Sequence, residues 1–173
     1  MPYDHEADRE LVQQTFSREW DEPVRVVRVK EFVPHFKVPG RQANGAPSSE
    51  HRVRRFLSSV GKTLHFMVAL GAGVFFNGNL AGPSIATYRG RVRGPEGSSA
   101  VQFAETVRGE SFWLVVSASG LAAVKPGSSS VMWSAIGPNR PQQDRDAGTL
   151  LWPDGSRVSF HLDAAESQRL VGV

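Results

Sequence analysis

The segment FWLVVSASGLAAVK, residues 112–125, decides the fold expected for this chain. Its first six residues are rich in the aromatic and β-branched side chains that favour extended backbone. Ser119-Gly120 supplies a tight turn, and Leu121 to Lys125 supplies a second apolar run that can pair with the first. The segment therefore predicts a β-hairpin and a fold built around antiparallel strands.

Further strand and turn signals lie on both sides of this hairpin. Residues 85–92 and 131–136 are predicted strands, and the turn Pro153-Asp154-Gly155 joins two more at 150–152 and 157–162. Residues 98–107 fit either a strand at 98–103 or a helical turn at 100–107. About seven strands without alternating helices predict a small antiparallel barrel, partly open, or two packed sheets.

The end of the chain predicts a helix that caps this barrel. Asp163 has a side chain suited to a helix N-cap, and residues 164–171 follow it. Side chains alternate between the two faces of a strand, and this alternation places an apolar set inside the barrel. The expected interior residues are Trp113, Val115, Trp133 and Phe160.

Residues 1–84 are expected to form a helical N-terminal extension of the 85–173 domain. Leu11, Val12, Phe16 and Trp20 recur at helical spacing, so a helix over 5–20 should pack through them. Residues 24–32 alternate like a short strand, whereas the prolines and glycines of 33–50 predict a loop. The expected class is α+β, mainly antiparallel β: a small, partly open β-barrel with a C-terminal capping helix and this extension.

The stretch HRVRRFLSSVGKTLHFMVALGAGVFF, residues 51–76, predicts a second helix over about 50–70. Its apolar part, 64–76, has thirteen residues, fewer than the roughly twenty that span a bilayer. Three alternatives stay open: this helix packs on the barrel, lies on a membrane surface or is buried against another subunit. Gly61-Lys62-Thr63 does not complete a phosphate-binding loop, because Phe56 stands where that loop needs glycine.

Charge is distributed unevenly along the chain. Residues 1–22 have two basic and seven acidic groups, a net charge of −5, whereas residues 23–93 have twelve basic and two acidic groups, a net charge of +10. Residues 94–173 have six basic and eight acidic groups, a net charge of −2. The middle block predicts attraction to phosphate-rich partners, lipid or nucleic acid, unless the acidic N-terminal segment folds back and neutralises it.

Signals for catalysis are weak. The chain has no cysteine, which excludes disulfides and thiolate metal sites. No two of its five histidines have the spacing of a helical metal-binding pair, and its serines lack the strand-to-helix turn of a nucleophile elbow. We therefore expect a protein that is not an enzyme, with no catalytic residue, no cofactor and no metal site.

Three segments together resemble a bacterial pleckstrin-homology-like or GRAM-like domain over residues 85–173. They are FWLVVSASGLAAVKP at 112–126, VMWSAIG at 131–137 and LLWPDGSRVSFHLDAAESQRLV at 150–171. The resemblance implies a barrel plugged by its C-terminal helix, and binding to acidic lipids or protein segments in place of catalysis. It also implies that Arg89, Arg91 and Arg93, on one face of the first strand, occupy the positions of basic ligand-binding residues.

These observations predict a binding or adaptor domain that engages a protein or an anionic membrane surface through the basic 23–93 region. The alternatives are a nucleic-acid-associated protein using the same region, or a structural subunit joined to its neighbours, including copies of itself, through residues 64–76. The acidic, polar start of the chain lacks the basic and apolar pattern of a signal peptide, which favours a cytoplasmic protein, with or without membrane association. The predicted binding residues are Arg52, Arg54, Arg55, Lys62, Arg89, Arg91 and Arg93.

Overall fold

A computed structural model describes residues 4–48, 89–144 and 148–171, with the backbone alone for Val171. The predicted helix over 50–70, and with it Arg52, Arg54, Arg55 and Lys62, lies outside the described residues. The apolar tract at 64–76 lies outside them too, so its three alternatives stay predictions.

Helices and strands alternate irregularly along the described part of the chain. A single turn of 3-10 helix, Gly137–Asn139, follows the sixth strand. In chain order the other elements are α1 (His5–Trp20), β1 (Arg25–Val29), β2 (Pro34–Lys37), β3 (Gly90–Arg93), α2 (Ser99–Thr106), β4 (Phe112–Val116), β5 (Gly120–Val124), β6 (Val131–Ile136), β7 (Gln142–Gln143), β8 (Thr149–Leu151), β9 (Arg157–Phe160) and α3 (Ala164–Val171).

The strands form a four-stranded sheet in the order β1-β4-β5-β6 and a five-stranded sheet in the order β2-β3-β9-β8-β7. Both predicted hairpins are confirmed, with Trp113 opposite Val124 in one and Thr149 opposite Ser159 in the other. All strand pairs except β2 with β3 are antiparallel, so the α+β class with mainly antiparallel sheets is confirmed. Within the described residues neither sheet closes on itself, so a barrel is not shown.

The region expected to be an N-terminal extension supplies a strand to each sheet. β1 pairs with β4, and β2 pairs with β3 in parallel. The loop predicted over 33–50 is wrong at Pro34–Lys37, where side chains alternate between buried and more exposed positions. Pro34 signalled a break, but a proline is tolerated as the first residue of a strand.

The segment left open between strand and helix is the helix α2. Its buried residues, with Val107 just after it, recur at helical spacing, and they pack between the sheets. Its N-terminus is capped by the β8–β9 hairpin: Asp154 accepts from the backbone N–H of Ser99 at 2.9 Å, and Ser156 Oγ accepts from that of Ala100 at 3.1 Å. The strand alternative at 98–103 is therefore wrong.

This cap predicts a pH dependence of stability. Desolvation raises the pKa of Asp154, but hydrogen bonds from the Ser156 hydroxyl and from the N–H groups of Ser99 and Ser156 outweigh it and lower the pKa from 3.8 to about 2. A carboxyl with a depressed folded-state pKa stabilises the fold above its unfolded pKa, and this contribution is lost as pH falls through the folded pKa. We expect Asp154→Ala to lower the free energy of unfolding at pH 7 by about 1 kcal/mol, a value typical of N-caps. This value is smaller than the pKa shift alone would give, because water screens the partly exposed carboxylate.

Denaturant unfolding at pH values stepped from 7 to 2 measures this effect. The difference between wild type and Asp154→Ala should be constant above pH 4 and shrink between about pH 4 and pH 2. A difference that stays constant down to pH 2 would show that the charge of Asp154 contributes nothing.

Both faces of the four-stranded sheet are covered, which explains why β4 and β5 are buried along their whole length. Phe112, Leu114 and Val116 face the larger core cluster, which also contains Phe160, whereas Trp113 and Val115 face a smaller cluster beneath α1. Of the four predicted interior residues, Phe160 lies in the larger core and Trp133 packs against it while partly exposed. Trp113 and Val115 are buried, but on the opposite face of the sheet.

The helix α1 packs on the sheet through part of its predicted stripe. Val12 and Phe16 are buried and Trp20 is half-buried, but Leu11 is 56% exposed, so its predicted packing is wrong. Val12 and Phe16 are four residues apart and share one face, whereas Leu11 points about 100° away from Val12. The apolar stripe is therefore narrower than the sequence suggested.

The C-terminal helix α3 covers the edge of the four-stranded sheet formed by β1. The Glu166 carboxylate accepts from the backbone N–H of Arg28 at 2.8 Å, and the Arg25 side chain donates to the Leu170 carbonyl. Leu170 is fully buried in the larger core. The predicted C-terminal helix is therefore present and bonds to this edge of the sheet, whereas its predicted role as the cap of a barrel stays a prediction.

Candidate anion-binding face

Cationic side chains gather on the outer side of the five-stranded sheet. Val92 on β3 points into the core, so its neighbours Arg91 and Arg93 point outward. In register beside Arg93 stand Lys37 on β2 and Arg157 on β9. We call these four residues, Lys37, Arg91, Arg93 and Arg157, the basic face.

Two sequence-predicted residues, Arg91 and Arg93, belong to the basic face, and the third, Arg89, lies just before β3. Arg89 borders a separate hollow of 190 Å³ together with Arg28, Lys30 and His161. There Lys30 pairs with Asp163 at 3.0 Å. The hydrogen bond from the Glu166 N–H and then that from Lys30 lower the pKa of Asp163. Arg89 thus lies at one end of the basic face, beside the ion pair of Lys30 with Asp163.

The centre of the basic face contains a small pocket of 180 Å³. Its lining consists of Arg91, Arg93, Arg157, Thr149, Ser159 and Asp144. Thr149 is only 8% exposed, and its hydroxyl shares a hydrogen bond of 3.1 Å with the Ser159 hydroxyl. Asp144 stands where β7 turns toward β8, and its backbone N–H donates to the Thr149 carbonyl at 2.9 Å.

A glycine allows the strands of this face to approach closely. A Cβ atom on Gly90 would lie 2.8 Å from the Ser159 carbonyl oxygen and 2.4 Å from the Phe32 ring. Neither the backbone of β9 nor a fully buried ring could yield easily to such contacts. Gly90 therefore fixes the spacing that sets Arg91 beside Ser159.

The ion pairs described between residues 4–48, 89–144 and 148–171 lie elsewhere in the fold. They use Arg9, Lys30, Arg41 and Arg169. Arg93 and Arg157 instead stand directly opposite each other on neighbouring antiparallel strands. Like charges in such positions are destabilising, so the arrangement favours an anion between them.

Sequence reasoning missed Lys37 and Arg157 as members of this face. Lys37 lay in a predicted loop, and Arg157 lay in a region with a net charge of −2. The alternation of Arg157, Val158, Ser159 and Phe160 gave a usable signal for the exposed side of β9. The pairing of β9 with β3, which brings Arg157 to Arg93, has no local signal.

Across residues 4–48, 89–144 and 148–171 no group of three or more acidic or histidine side chains could hold a metal ion. In the same ranges no helix has the length and apolar content needed to cross a membrane. Comparison of the chain with protein-family models, with curated proteins and with solved structures finds no match.

Proposed function

We propose that this protein is a non-enzymatic binding module that engages an anionic partner through the basic face. The observation that carries the proposal is the register Lys37–Arg93–Arg157, which sets three cations side by side across three strands, with Arg91 adjacent. A surface of one charge sign raises the local concentration of oppositely charged partners and speeds their association. The pleckstrin-homology-like resemblance, which implies a binding domain, supports the same function.

An acidic protein surface suits this face better than a membrane. Proteins that lie in a bilayer interface insert large apolar side chains beside their basic residues. The outward positions described on β2, β3, β8 and β9 include one large apolar side chain, Leu151, which is 38% exposed. The other outward side chains on these strands are charged residues, serine, threonine or histidine. Such polar side chains suit a hydrated contact with an acidic protein surface.

Nucleic acid is the second partner class, since it is attracted by the same charges. Sheets that recognise single-stranded RNA stack its bases on exposed aromatic rings. The phenylalanines described on the five-stranded sheet, Phe36 and Phe160, are both buried in the core. For this reason we rank nucleic acid behind an acidic protein as the proposed partner.

The variant Arg91→Glu/Arg93→Glu tests the proposal. A polyglutamate peptide should bind the wild-type chain with an affinity that falls as salt is added, because exposed charges are screened. The double variant should bind about tenfold more weakly or worse, a change of about 1.4 kcal/mol. Fluorescence anisotropy of a labelled peptide measures both effects.

A matched control is Arg18→Glu/Arg108→Glu, which makes the same change in net charge at exposed positions on other elements. It should bind within about twofold of the wild type, apart from the long-range effect of net charge. Equal loss in both variants would contradict a specific face. Vesicles of phosphatidylserine and a single-stranded RNA serve as competing probes, and tighter binding of either than of the peptide would replace the proposed partner class.

A further inference from the structure

We propose that the pocket at the centre of the basic face is a binding site for a phosphate monoester dianion. This inference rests on the proposed function, because it names the chemical group that the face recognises most strongly. The pocket volume of 180 Å³ lies below the roughly 300–1,000 Å³ of pockets that bury drug-sized ligands. A small tetrahedral anion with a few water molecules therefore suits it better than a nucleotide or a folded peptide.

The charge of the lining matches that of a phosphate monoester. Arg91, Arg93 and Arg157 contribute three positive charges and Asp144 contributes one negative charge, which leaves +2. A phosphate monoester carries about −1.5 to −2 at pH 7, whereas a single carboxylate carries −1. The monoester is thus the better electrostatic complement.

The geometry of the three arginines favours a tetrahedral group. Arg91 and Arg93 are two residues apart on β3, roughly 7 Å along a strand, and Arg157 stands opposite Arg93 on β9. Each guanidinium presents a planar fork of N–H donors that can bind two oxygens at once. Three forks that line one pocket from two strands can serve three terminal oxygens, and a carboxylate has only two.

Two hydroxyl groups complete the set of donors. Thr149 Oγ1 and Ser159 Oγ lie 3.1 Å apart and share one hydrogen bond. That bond uses only one of the two hydroxyl hydrogens, so the other stays available to an anion in the pocket. Thr149 is held by its burial, so the serine is oriented before a ligand arrives.

The proposal makes a prediction about stability without any ligand. Because Arg93 and Arg157 face each other across the strand pair, removing one charge relieves repulsion in the empty pocket. Arg157→Gln should raise the melting temperature in phosphate-free buffer and should also reduce phosphate binding. If Arg157 served only to stabilise the fold, its loss would lower the melting temperature as well as phosphate binding.

The experiment titrates the full chain with inorganic phosphate, phenyl phosphate and dimethyl phosphate at constant ionic strength. The melting temperature should rise with phosphate and phenyl phosphate, because a ligand that binds the folded state stabilises it. Dimethyl phosphate, a monoanionic diester, should bind at least tenfold more weakly. Vesicles containing phosphatidic acid, a lipid monoester, are tested separately. If the vesicles bind and free phosphate competes with them, the monoester comes from a lipid headgroup. If only the soluble monoesters bind, it comes from a soluble source.

The variants localise the site. Arg157→Gln and Thr149→Val/Ser159→Ala should each weaken phosphate binding at least tenfold, and Arg108→Gln, on an exposed turn outside the pocket, should not. The Arg157 variant keeps the test decisive if the buried Thr149 position tolerates no change. Wild-type chain that binds polyglutamate but not phosphate would overturn the pocket and leave the proposed function standing. Wild-type chain that binds neither would overturn both.

Discussion

Glu166→Ala should lower the free energy of unfolding by about 3–5 kcal/mol, because it removes the buried partner of Arg9. The Arg9 guanidinium then keeps only the exposed carboxylate of Glu6, at 3.1 Å. The Glu166 carboxylate on α3 pairs with Arg9 on α1, and only 10% of the Glu166 side chain and 8% of the Arg9 side chain are exposed. It also accepts from the backbone of β1. One carboxylate therefore joins the N-terminal helix, the C-terminal helix and a sheet edge, and its loss should loosen all three.

A double-mutant cycle separates this pairing from general packing. Arg9→Met and Glu166→Gln should each destabilise the chain, and the double variant should cost clearly less than the sum, because it leaves no unpaired charge. Denaturant unfolding of the four proteins provides the coupling free energy. Additive costs would contradict the pairing. The cost of Arg9→Met would then come from other contacts of Arg9, such as the approach of its guanidinium carbon to within 5.2 Å of the Trp113 ring centroid.

Phe103→Ala should lower the free energy of unfolding by about 3–5 kcal/mol, because it opens a cavity in a closely packed core. Phe103, on α2, is fully buried, and its ring centroid lies 4.9 Å from that of Trp133 and 5.6 Å from that of Trp152. It also contacts Phe112 on one sheet and Phe160 on the other. This ring thus links α2 to both sheets.

The control for Phe103 is Leu11→Ala. Leu11 is a large apolar residue at an exposed position, and substitutions at such positions usually change stability by less than about 0.5 kcal/mol. Denaturant midpoints of the two variants make the comparison. A Phe103 variant as stable as the Leu11 variant would show that α2 does not occupy the inter-sheet core.

The local sequence pattern was sufficient to predict the two hairpins. It failed to predict strand pairs whose members are distant along the chain. The 112–125 and 150–162 hairpins carry apolar runs and turn residues within a few positions of each other, so the sequence contains their pairing. The strand β2 contains a proline and only four residues, and its partner β3 lies more than fifty positions away. Nothing near β2 identifies that partner.

The burial of β4 on both faces also made its core-facing residues hard to predict from sequence. Trp113 and Leu114 are both apolar because opposite faces of β4 are covered, one by α1 and the other by the larger core. A continuous apolar run shows that a strand is buried but does not say which residue faces which layer. The candidate site has the same limit. Arg91 and Arg93 follow from the pleckstrin-homology-like resemblance together with alternation along the strand, whereas Lys37 and Arg157 depend on strand order.

Chemical-shift mapping tests the central claim, that the basic face engages anionic partners, most directly. Backbone amide resonances of the full chain would be followed during titration with the polyglutamate peptide. We expect the largest shifts on β2, β3 and β9, near Lys37, Arg93 and Arg157, with α1 and β6 unchanged. Shifts centred on other elements, or saturable binding with no shifts on β3 and β9, would contradict the claim.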